Sequence, residues 1–250
     1  MTVYNMGKRC RIRSFLLLFC ILGFFFFRAP TIENSDELEL SRTATFVPHK
    51  IRATATNTGA WQLPEGYEYY FDERLARAMV TYFKQKEKFW SKPSVIEFGS
   101  GTGKYIKYFL KKQINVRGYD GVDDIYERTG GMVNHIELTV KNELGEADYV
   151  VCLEVAEHIP KEFEQIFLEN LVSHSKKAVI LSWAPPEQSG VGHVNTKKKE
   201  DVVRLMQARG YELDESNSKI VRDAATLPWI KKNLMIFRKT MPKQIQVSKV

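Results

Sequence analysis

The sequence predicts an α/β domain: a mostly parallel, seven-stranded sheet with helices on both faces. Short apolar segments of strand length alternate with amphipathic segments of helix length from residue 72 to residue 240. This order is typical of parallel strands joined by crossover helices. Glycines and acidic residues also gather where several apolar segments end. Sheets of this kind bind their ligands at those ends, so the same pattern predicts a binding site.

The first half of the domain begins with a predicted helix. Apolar residues after Asp72 recur at helical spacing, and Asp72 is a suitable N-cap. The segment "PSVIEFGSGTGKY" then predicts a strand, a glycine turn and a helix over about residues 105–112. A second strand, "INVRGYD", ends at Asp120, and "HIELTV" predicts a weaker third strand.

The second half continues the alternation. "ADYVVCL" predicts the fourth strand and residues 160–172 the helix after it, while "KAVILSW" predicts the fifth strand. An amphipathic helix over residues 199–209 ends at Gly210, a favourable residue after a helix. "YELDES" and "NLMIFRK" predict the last two strands. The strand ends carry the candidate site residues Glu97–Gly103, Asp120, Glu154 and Trp183.

The loop "EFGSGTG" predicts a site for a nucleoside ligand that carries positive charge. Its three alternate glycines permit a tight turn and close approach of the backbone to a ligand. Lys104 occupies the last glycine position of the dinucleotide fingerprint G-x-G-x-x-G, so that fingerprint fails. The carboxylate of Asp120, at the next strand end, can accept both ribose hydroxyls, and Glu97 can meet a cationic amino group.

Three motifs, "VIEFGSGTG", "VRGYD" and "ADYVVCLEVAEHIP", resemble in order and spacing those of the class I S-adenosylmethionine-dependent methyltransferases. The resemblance covers about residues 72–240, and within the superfamily this segment is most similar to the methyltransferase domains called type 11 and type 23. It implies a Rossmann-like fold, methyltransferase activity and S-adenosylmethionine as methyl donor. It also implies that Asp120 holds the ribose, that Glu137 lies near adenine and that the glycine loop surrounds the methionine moiety. The implied cofactor residues are Glu97, Gly99, Ser100, Gly101, Gly103, Asp120, Glu137 and Glu154.

Glu154, Glu157 and His158 follow the fourth strand at i, i+3, i+4 spacing, which places them on one face if a helical turn begins at Glu154. Ionisable groups this close shift each other's pKa unless a cation joins them. Mg²⁺, Mn²⁺ or Zn²⁺ suits such ligands, and His193 is a fourth candidate ligand. E-x-x-E-H with a later histidine resembles the small-RNA 3′-terminal 2′-O-methyltransferases and the ubiquinone-pathway O-methyltransferases. That resemblance implies a metal that binds adjacent hydroxyls of the acceptor.

Other roles for these residues stay open. Methyltransferases of this class also carry E-x-x-E-H without a metal, the glutamates then capping the next helix. Glu157, His158 and His193 are therefore catalytic candidates with or without a metal, each histidine as a possible general base. A purely structural role also stays open. The Asn/Asp-Pro-Pro-aromatic motif of nucleic-acid amino-group methyltransferases is absent after the fourth strand, which favours methylation of oxygen.

The chain opens with basic residues and an uncharged apolar run from Phe15 to Phe27. This run is short for a spanning helix, but the small-x-small pattern of a cleaved signal peptide is poor. The pattern favours an uncleaved anchor, and hence a single-pass type II membrane protein of the endoplasmic reticulum or Golgi, or a secreted one if cleavage occurs. The predicted segments are an anchor (1–28), a stalk (29–60), a methyltransferase domain (61–241) and a tail (242–250).

The resulting hypothesis is a membrane-anchored enzyme that methylates a hydroxyl group of a small-molecule or glycan acceptor, with a vicinal diol favoured. One alternative is a small-molecule, lipid or quinone O-methyltransferase at a membrane surface. Another is a catalytically silent methyltransferase fold that serves as a binding module. Five of the basic residues behind the formal charge of +7 precede Glu33. The remaining chain is close to neutral, so charge gives no reason to expect a nucleic-acid partner.

Overall fold

The computed structural model describes residues 54–62, 69–85 and 92–240. Within these residues two short strands form a hairpin and seven strands form one sheet. The hairpin strands are β1 (Thr54–Ala55) and β2 (Trp61–Gln62). The sheet strands are β3 (Ser94–Phe98), β4 (Asn115–Asp120), β5 (Val133–His135), β6 (Ala147–Cys152), β7 (Ser175–Ser182), β8 (Tyr211–Leu213) and β9 (Leu234–Lys239).

The sheet has the order β5-β4-β3-β6-β7-β9-β8. Strands β3 to β7 are parallel, and β9 is antiparallel to both of its neighbours. Phe98 pairs with Tyr119 on one side and with Cys152 on the other, so β3, β4 and β6 end level with one another. The strand order reverses between β3 and β6, and parallel sheets bind ligands at such a reversal.

Helices cover both faces of the sheet. Side chains alternate along β6: Tyr149 and Val151 pack against one helical layer, and Val150 and Cys152 against the other. The first layer holds α1, α2, α6 and α7, and the second holds α4 and α5. The helices are α1 (Glu73–Gln85), α2 (Lys104–Lys111), α3 (Ile125–Arg128), α4 (Glu164–Ser173), α5 (Lys199–Gln207), α6 (Glu215–Ala224) and α7 (Ile230–Asn233).

The predicted fold class is confirmed: a mostly parallel, seven-stranded sheet lies between two helical layers. Asp72 caps α1, because its Oδ1 accepts the Leu75 N–H at 3.0 Å. The predicted third strand "HIELTV" is wrong, because β5 ends at His135, where that segment was expected to begin. His135 pairs with Asp120, the last residue of β4, so the following residues have no strand beside them on that side.

Helices α3, α6 and α7 and the β1–β2 hairpin were not predicted from the sequence. Helix α6 begins after Asp214, whose Oδ1 accepts the Asn217 N–H at 3.1 Å as an N-cap. The β1–β2 hairpin occupies part of the predicted stalk, and the predicted domain boundary at residue 61 falls inside it.

The predicted membrane location needs correction. Across residues 54–62, 69–85 and 92–240, the structure has no helix of the length and apolar character that a membrane span requires. The predicted anchor, residues 1–28, lies outside the described residues. The predicted location as a type II protein of the endoplasmic reticulum or Golgi is therefore contradicted in the part of the chain that the structure describes.

Candidate active site

A cavity of about 500 Å³ opens where the strand order reverses, at the carboxyl ends of β3, β4 and β6. The loops after these strands, the loop after β7 and the β1–β2 hairpin form its walls. Gly103, Glu157 and Trp183 are among the predicted site residues that do not line the cavity. The predicted residues that line it are Glu97, Gly99, Ser100, Gly101, Asp120, Glu137, Glu154, His158 and His193.

The glycine loop has a backbone conformation that favours glycine. Gly99, Gly101 and Gly103 have φ angles of 76°, 50° and 72°, in the left-handed region. A Cβ atom at position 99 would lie 2.1 Å from a methyl carbon of Val155, and one at position 101 would lie 2.5 Å from the ring of Tyr69. The loop therefore needs glycine for its own packing as well as for close approach of a ligand.

Asp120 ties the glycine loop to the end of β4. Its Oδ2 accepts the Gly101 N–H at 2.7 Å, and its Oδ1 accepts the Val122 N–H at 3.1 Å. Burial raises the pKa of Asp120, and these hydrogen bonds act in the opposite direction. Each carboxylate oxygen offers more than one acceptor site, so both can still accept a ligand hydroxyl. Glu137 lies half-buried on the same side, in the loop after β5.

Glu97 is a buried carboxyl group that lacks a full set of partners. It is 3% exposed, and its Oε2 has no hydrogen-bond partner among the described residues. Burial, and beyond it the negative charge of Asp120, raises the pKa of Glu97 to about 8. The group is therefore mostly protonated at neutral pH unless a positive charge lies beside it. Ser100 fixes this turn, since its Oγ donates to the Glu97 carbonyl and accepts the Tyr119 N–H.

A second group of ionisable residues lies at the other end of the cavity. Glu157, His158 and His193 each place one potential ligand atom within 4.8 Å of the others, and the Glu157 Oε1 lies 4.0 Å from the His193 Nε2. Glu157 is fully buried, and neither of its carboxylate oxygens has a hydrogen-bond partner in the part of the chain that the structure describes. Burial, and next the negative charge of Glu154, raises the pKa of Glu157 well above its usual range, while the nearby backbone N–H groups of Glu157 and Ala184 act in the opposite direction.

Both histidines of this cluster are held by backbone carbonyl groups. His158 Nδ1 lies 3.0 Å from the Gly192 carbonyl oxygen, and His193 Nδ1 lies 3.0 Å from that of Gln188. A carbonyl oxygen only accepts, so each Nδ1 carries the proton and each neutral ring keeps the Nε2 lone pair. Burial lowers the pKa of His158 to about 4, and the nearby His193 acts in the same direction. The imidazole of His158 is therefore neutral at physiological pH.

Glu154 lies beside Glu157 but has its own hydrogen-bond partners. Its carboxylate accepts hydrogen bonds from Ser182, Gln188 and Asn233, and its φ of 55° is left-handed. The expected common face assumed a helical turn at Glu154, whereas the 3-10 turn begins at Ala156. The structure thus brings together three of the four predicted metal ligands.

The loop after β7, residues 183–197, carries His193 and is fixed on both sides. The Val194 and Asn195 N–H groups donate to the Glu157 carbonyl at 2.9 and 3.0 Å. The Asn195 side chain donates to Glu164, and its carbonyl accepts the Trp183 Nε1–H at 2.6 Å. Trp183 is 1% exposed, so it is a core residue that supports this loop rather than a stacking surface for an acceptor.

Aromatic side chains border the mouth of the cavity. The Tyr70 and Trp229 rings meet edge to face with centroids 5.6 Å apart, and Tyr70 is 76% exposed. Leu227 and the exposed Val191 line the same cavity. A ligand with an apolar or planar face would find a matching wall here.

The hairpin was missed by the sequence analysis, yet it lies over the site. A Cβ atom at Gly59 would lie 2.4 Å from the His158 carbonyl oxygen, and the Trp61 ring meets the His158 ring at 5.1 Å. At the other end of the cavity, a Cβ atom at Gly121 would lie 2.8 Å from the Cβ of Ala60. Apolar residues do not recur at a regular spacing in residues 54–62, so the sequence did not predict that a hairpin lies over the site.

The fold and the site define a class of protein. A glycine loop after the first sheet strand, an acidic residue at the end of the next and an acidic segment after β6 are the features of a class I methyltransferase. Residues 67–181 match the family model described as a methyltransferase domain. This match confirms the predicted resemblance of the chain to the class I S-adenosylmethionine-dependent methyltransferases.

Solved structures share this fold at low sequence identity. The amino pentose methyltransferase CalS10 of Micromonospora echinaspora, bound to S-adenosylmethionine, aligns with 70% of this chain and 100% of its own, at 13% identity and a TM-score of 0.52. Magnesium protoporphyrin IX methyltransferase (ChlM) of Synechocystis PCC 6803, with bound SAH, aligns with 67% of this chain and 83% of its own, at 15% identity and a TM-score of 0.51. Among curated proteins, none matches the sequence significantly.

Proposed function

We propose that this methyltransferase transfers the methyl group of S-adenosylmethionine to a hydroxyl oxygen of an acceptor held beside Glu157, His158 and His193. The observation that carries the proposal is the unsatisfied carboxylate of Glu157 beside two imidazoles whose Nε2 lone pairs are available. Leaving a buried carboxylate without partners is costly, so this arrangement favours a ligand or proton acceptor function.

The residues at the glycine-loop end fit the methyl donor. The unpartnered Oε2 of Glu97 suits a cationic amino group, and the remaining acceptor sites of Asp120 suit ribose hydroxyls. The compact loop at Gly99 and Gly101 permits close backbone approach. When bound, S-adenosylmethionine supplies an activated methyl group on a positively charged sulfur.

The residues at the histidine end fit a divalent metal. One carboxylate and two imidazoles form a donor set that suits Zn²⁺ or Mn²⁺ better than Mg²⁺, which prefers oxygen ligands. The two backbone carbonyls that hold the Nδ1–H groups are the outer-shell partners that metal-binding histidines ordinarily have. Bound there, such an ion would supply positive charge that lowers the pKa of an acceptor hydroxyl.

The same geometry supports a second candidate mechanism without a metal. The unprotonated Nε2 of His193 can accept the proton of an acceptor hydroxyl, and the ionised form of Glu157, 4.0 Å away, can stabilise the imidazolium that forms. The two mechanisms share residues but differ in their response to chelation.

The acceptor we propose is a small molecule or a glycan with an apolar or planar face. The wall of Tyr70, Leu227 and Trp229 supports this choice, because aryl rings and the faces of sugar rings both pack well on aromatic side chains. Adjacent hydroxyls on the acceptor would suit the metal-dependent mechanism.

Transfer of labelled methyl groups from S-adenosylmethionine to a panel of catechols, sugars and quinols tests the proposal. We expect a methyl ether product, loss of turnover with a chelator and recovery with Mn²⁺ or Zn²⁺. Glu157→Gln should lose turnover but keep S-adenosylmethionine affinity by calorimetry, while the exposed Glu162→Gln serves as the matched control.

Three outcomes separate the alternatives. Full turnover of a metal-free sample would leave the general-base mechanism, in which only the histidine and Glu157 substitutions slow the reaction. Methylation of nitrogen instead of oxygen would overturn the acceptor assignment. Absence of S-adenosylmethionine binding by the intact chain would instead support the silent binding module.

A further inference from the structure

Four residues at the side of the cavity, two buried and two half-buried, form a polar cluster that we call the latch: Glu154, Ser182, Gln188 and Asn233. We propose that Glu154 acts through the latch as a positioning residue for His193 and is not a metal ligand. The inference deepens the proposed function, because it assumes that Glu157, His158 and His193 are the reactive cluster. Glu154 is the first glutamate of the E-x-x-E-H motif.

Both carboxylate oxygens of Glu154 accept hydrogen bonds from side-chain donors. Its Oε1 accepts from the Ser182 Oγ at 2.7 Å and from the Asn233 Nδ2 at 2.8 Å, and its Oε2 accepts from the Gln188 Nε2 at 3.1 Å. Ser182 and Asn233 are buried, so two of these three charge-assisted hydrogen bonds come from donors shielded from solvent. Glu154 thus has the partners that Glu157 lacks, and it needs no cation to satisfy its charge.

The backbone at Glu154 directs the side chain to the latch. Its φ of 55° is a conformation that glutamate rarely adopts. The Glu154 N–H donates to the Ser182 Oγ at 2.7 Å, which holds the backbone in this conformation. The following 3-10 turn, Ala156–His158, then carries Glu157 into the cluster. Glu154 thus reaches the side-chain donors of the latch, while Glu157 lies beside both Glu154 and the two histidines.

Gln188 connects the latch to His193. Its side chain donates to Glu154 and accepts from the Asn233 Nδ2 at 3.3 Å, while its main-chain carbonyl accepts the His193 Nδ1–H at 3.0 Å. Fixing the Gln188 side chain therefore fixes the carbonyl that orients the His193 ring. This orientation sets the tautomer and the direction of the Nε2 lone pair, which is what either proposed mechanism requires.

Co²⁺ binding, followed by its visible absorption spectrum, distinguishes a positioning residue from a ligand. In the full chain, Glu157→Gln should abolish the Co²⁺ spectrum. Glu154→Gln should keep the spectrum and weaken Co²⁺ binding by about 10-fold, the lower end of the range for an outer-shell substitution. Equal loss of the Co²⁺ spectrum in both variants would overturn the inference.

A residue swap provides the control for a merely structural effect. Glu154→Gln combined with Gln188→Glu exchanges donor and acceptor across the same 3.1 Å contact. The double variant should regain Co²⁺ affinity and turnover to within about 3-fold of the original chain, a coupling of the size seen for residues in one hydrogen-bond network. A double variant that is worse than both single variants would contradict the latch.

Hydrogen exchange of the amides of residues 188–193 tests the latch independently of metal binding, and so it applies even if the unaltered chain binds no Co²⁺. Glu154→Gln and Gln188→Ala should each accelerate that exchange in the metal-free protein, and the swap should restore it. Unchanged exchange in both single variants would overturn the latch whatever the metal result.

Discussion

At the glycine-loop end of the cavity, Asp120 accepts two backbone N–H groups, while the Oε2 of Glu97 has no partner among the described residues. At the histidine end, Glu154 accepts three hydrogen bonds, while Glu157 accepts none within the same part of the chain. Each end thus pairs one satisfied carboxylate, which holds a loop, with one unsatisfied carboxyl group. A ligand that binds the unsatisfied carboxyl group should stabilise the site most, because no hydrogen bond yet offsets the cost of removing that group from water.

The two ends differ in where the donors originate. The donors to Asp120 are main-chain groups 19 and 2 residues away in the chain. The donors to Glu154 are side chains 28, 34 and 79 residues away. Main-chain donors exist whenever the turn forms, whereas side-chain donors require the right residue in each of three distant segments. We therefore expect backbone changes to be most damaging at the first end and side-chain changes at the second.

The largest effect we predict comes from Gly101→Val. The added side chain would meet the Tyr69 ring, at a position whose φ of 50° already disfavours it, and would distort the N–H that Asp120 accepts. We expect S-adenosylmethionine binding to be undetectable by calorimetry. Gly130→Val is the matched control, because its φ is 61° but a Cβ there meets nothing within 4 Å. Wild-type affinity in Gly101→Val would show that the loop does not bind the cofactor.

A smaller effect is expected from Gly190→Ala at the histidine end. A Cβ atom there would lie 2.2 Å from the His193 Nε2, so the ring must move away. Displacement of a reacting group by about 1 Å costs on the order of 100-fold in rate, so we expect kcat to fall by about that factor. Cofactor affinity should stay unchanged. Val194→Ala, on the same loop but 62% exposed, should leave kcat near the original value.

This difference between the ends also explains what could be predicted from sequence. Alternating apolar segments indicated the sheet and its helices, and the glycine loop with Asp120 could be located because local backbone geometry dictates it. The different hydrogen-bond partners of Glu154 and Glu157 could not be predicted. The partners of Glu154 include Asn233 and Gln188, which belong to segments distant in the sequence. The position of Trp61 over His158 likewise results from tertiary packing without a local period.

A further predicted effect concerns the pH dependence of cofactor binding. Burial raises the pKa of Glu97 to about 8, so a cationic ligand group must displace its proton. S-adenosylmethionine affinity should therefore rise by about tenfold per pH unit between pH 6 and about 8, and then level off. Calorimetry in two buffers of different ionisation enthalpy should detect the released proton. Glu97→Gln should remove the contribution of this group, and an unchanged pH profile in that variant would contradict the assignment.

The ligand-free protein offers an independent check of the same group. A carboxyl group whose pKa is raised from 4.5 to about 8 on folding binds a proton that the unfolded chain releases. Its contribution to stability is therefore fully present below pH 4.5 and is lost as the pH rises through about 8. Glu97→Gln lacks this contribution. As pH rises from 5 to 8, the Tm of the variant should therefore rise steadily relative to the Tm of the original chain. S-adenosylmethionine should reduce that trend, since a cation beside Glu97 stabilises its charged form. A difference in Tm that does not vary with pH would mean that Glu97 is already ionised in the folded chain, and the unsatisfied carboxyl group at this end would then need another explanation.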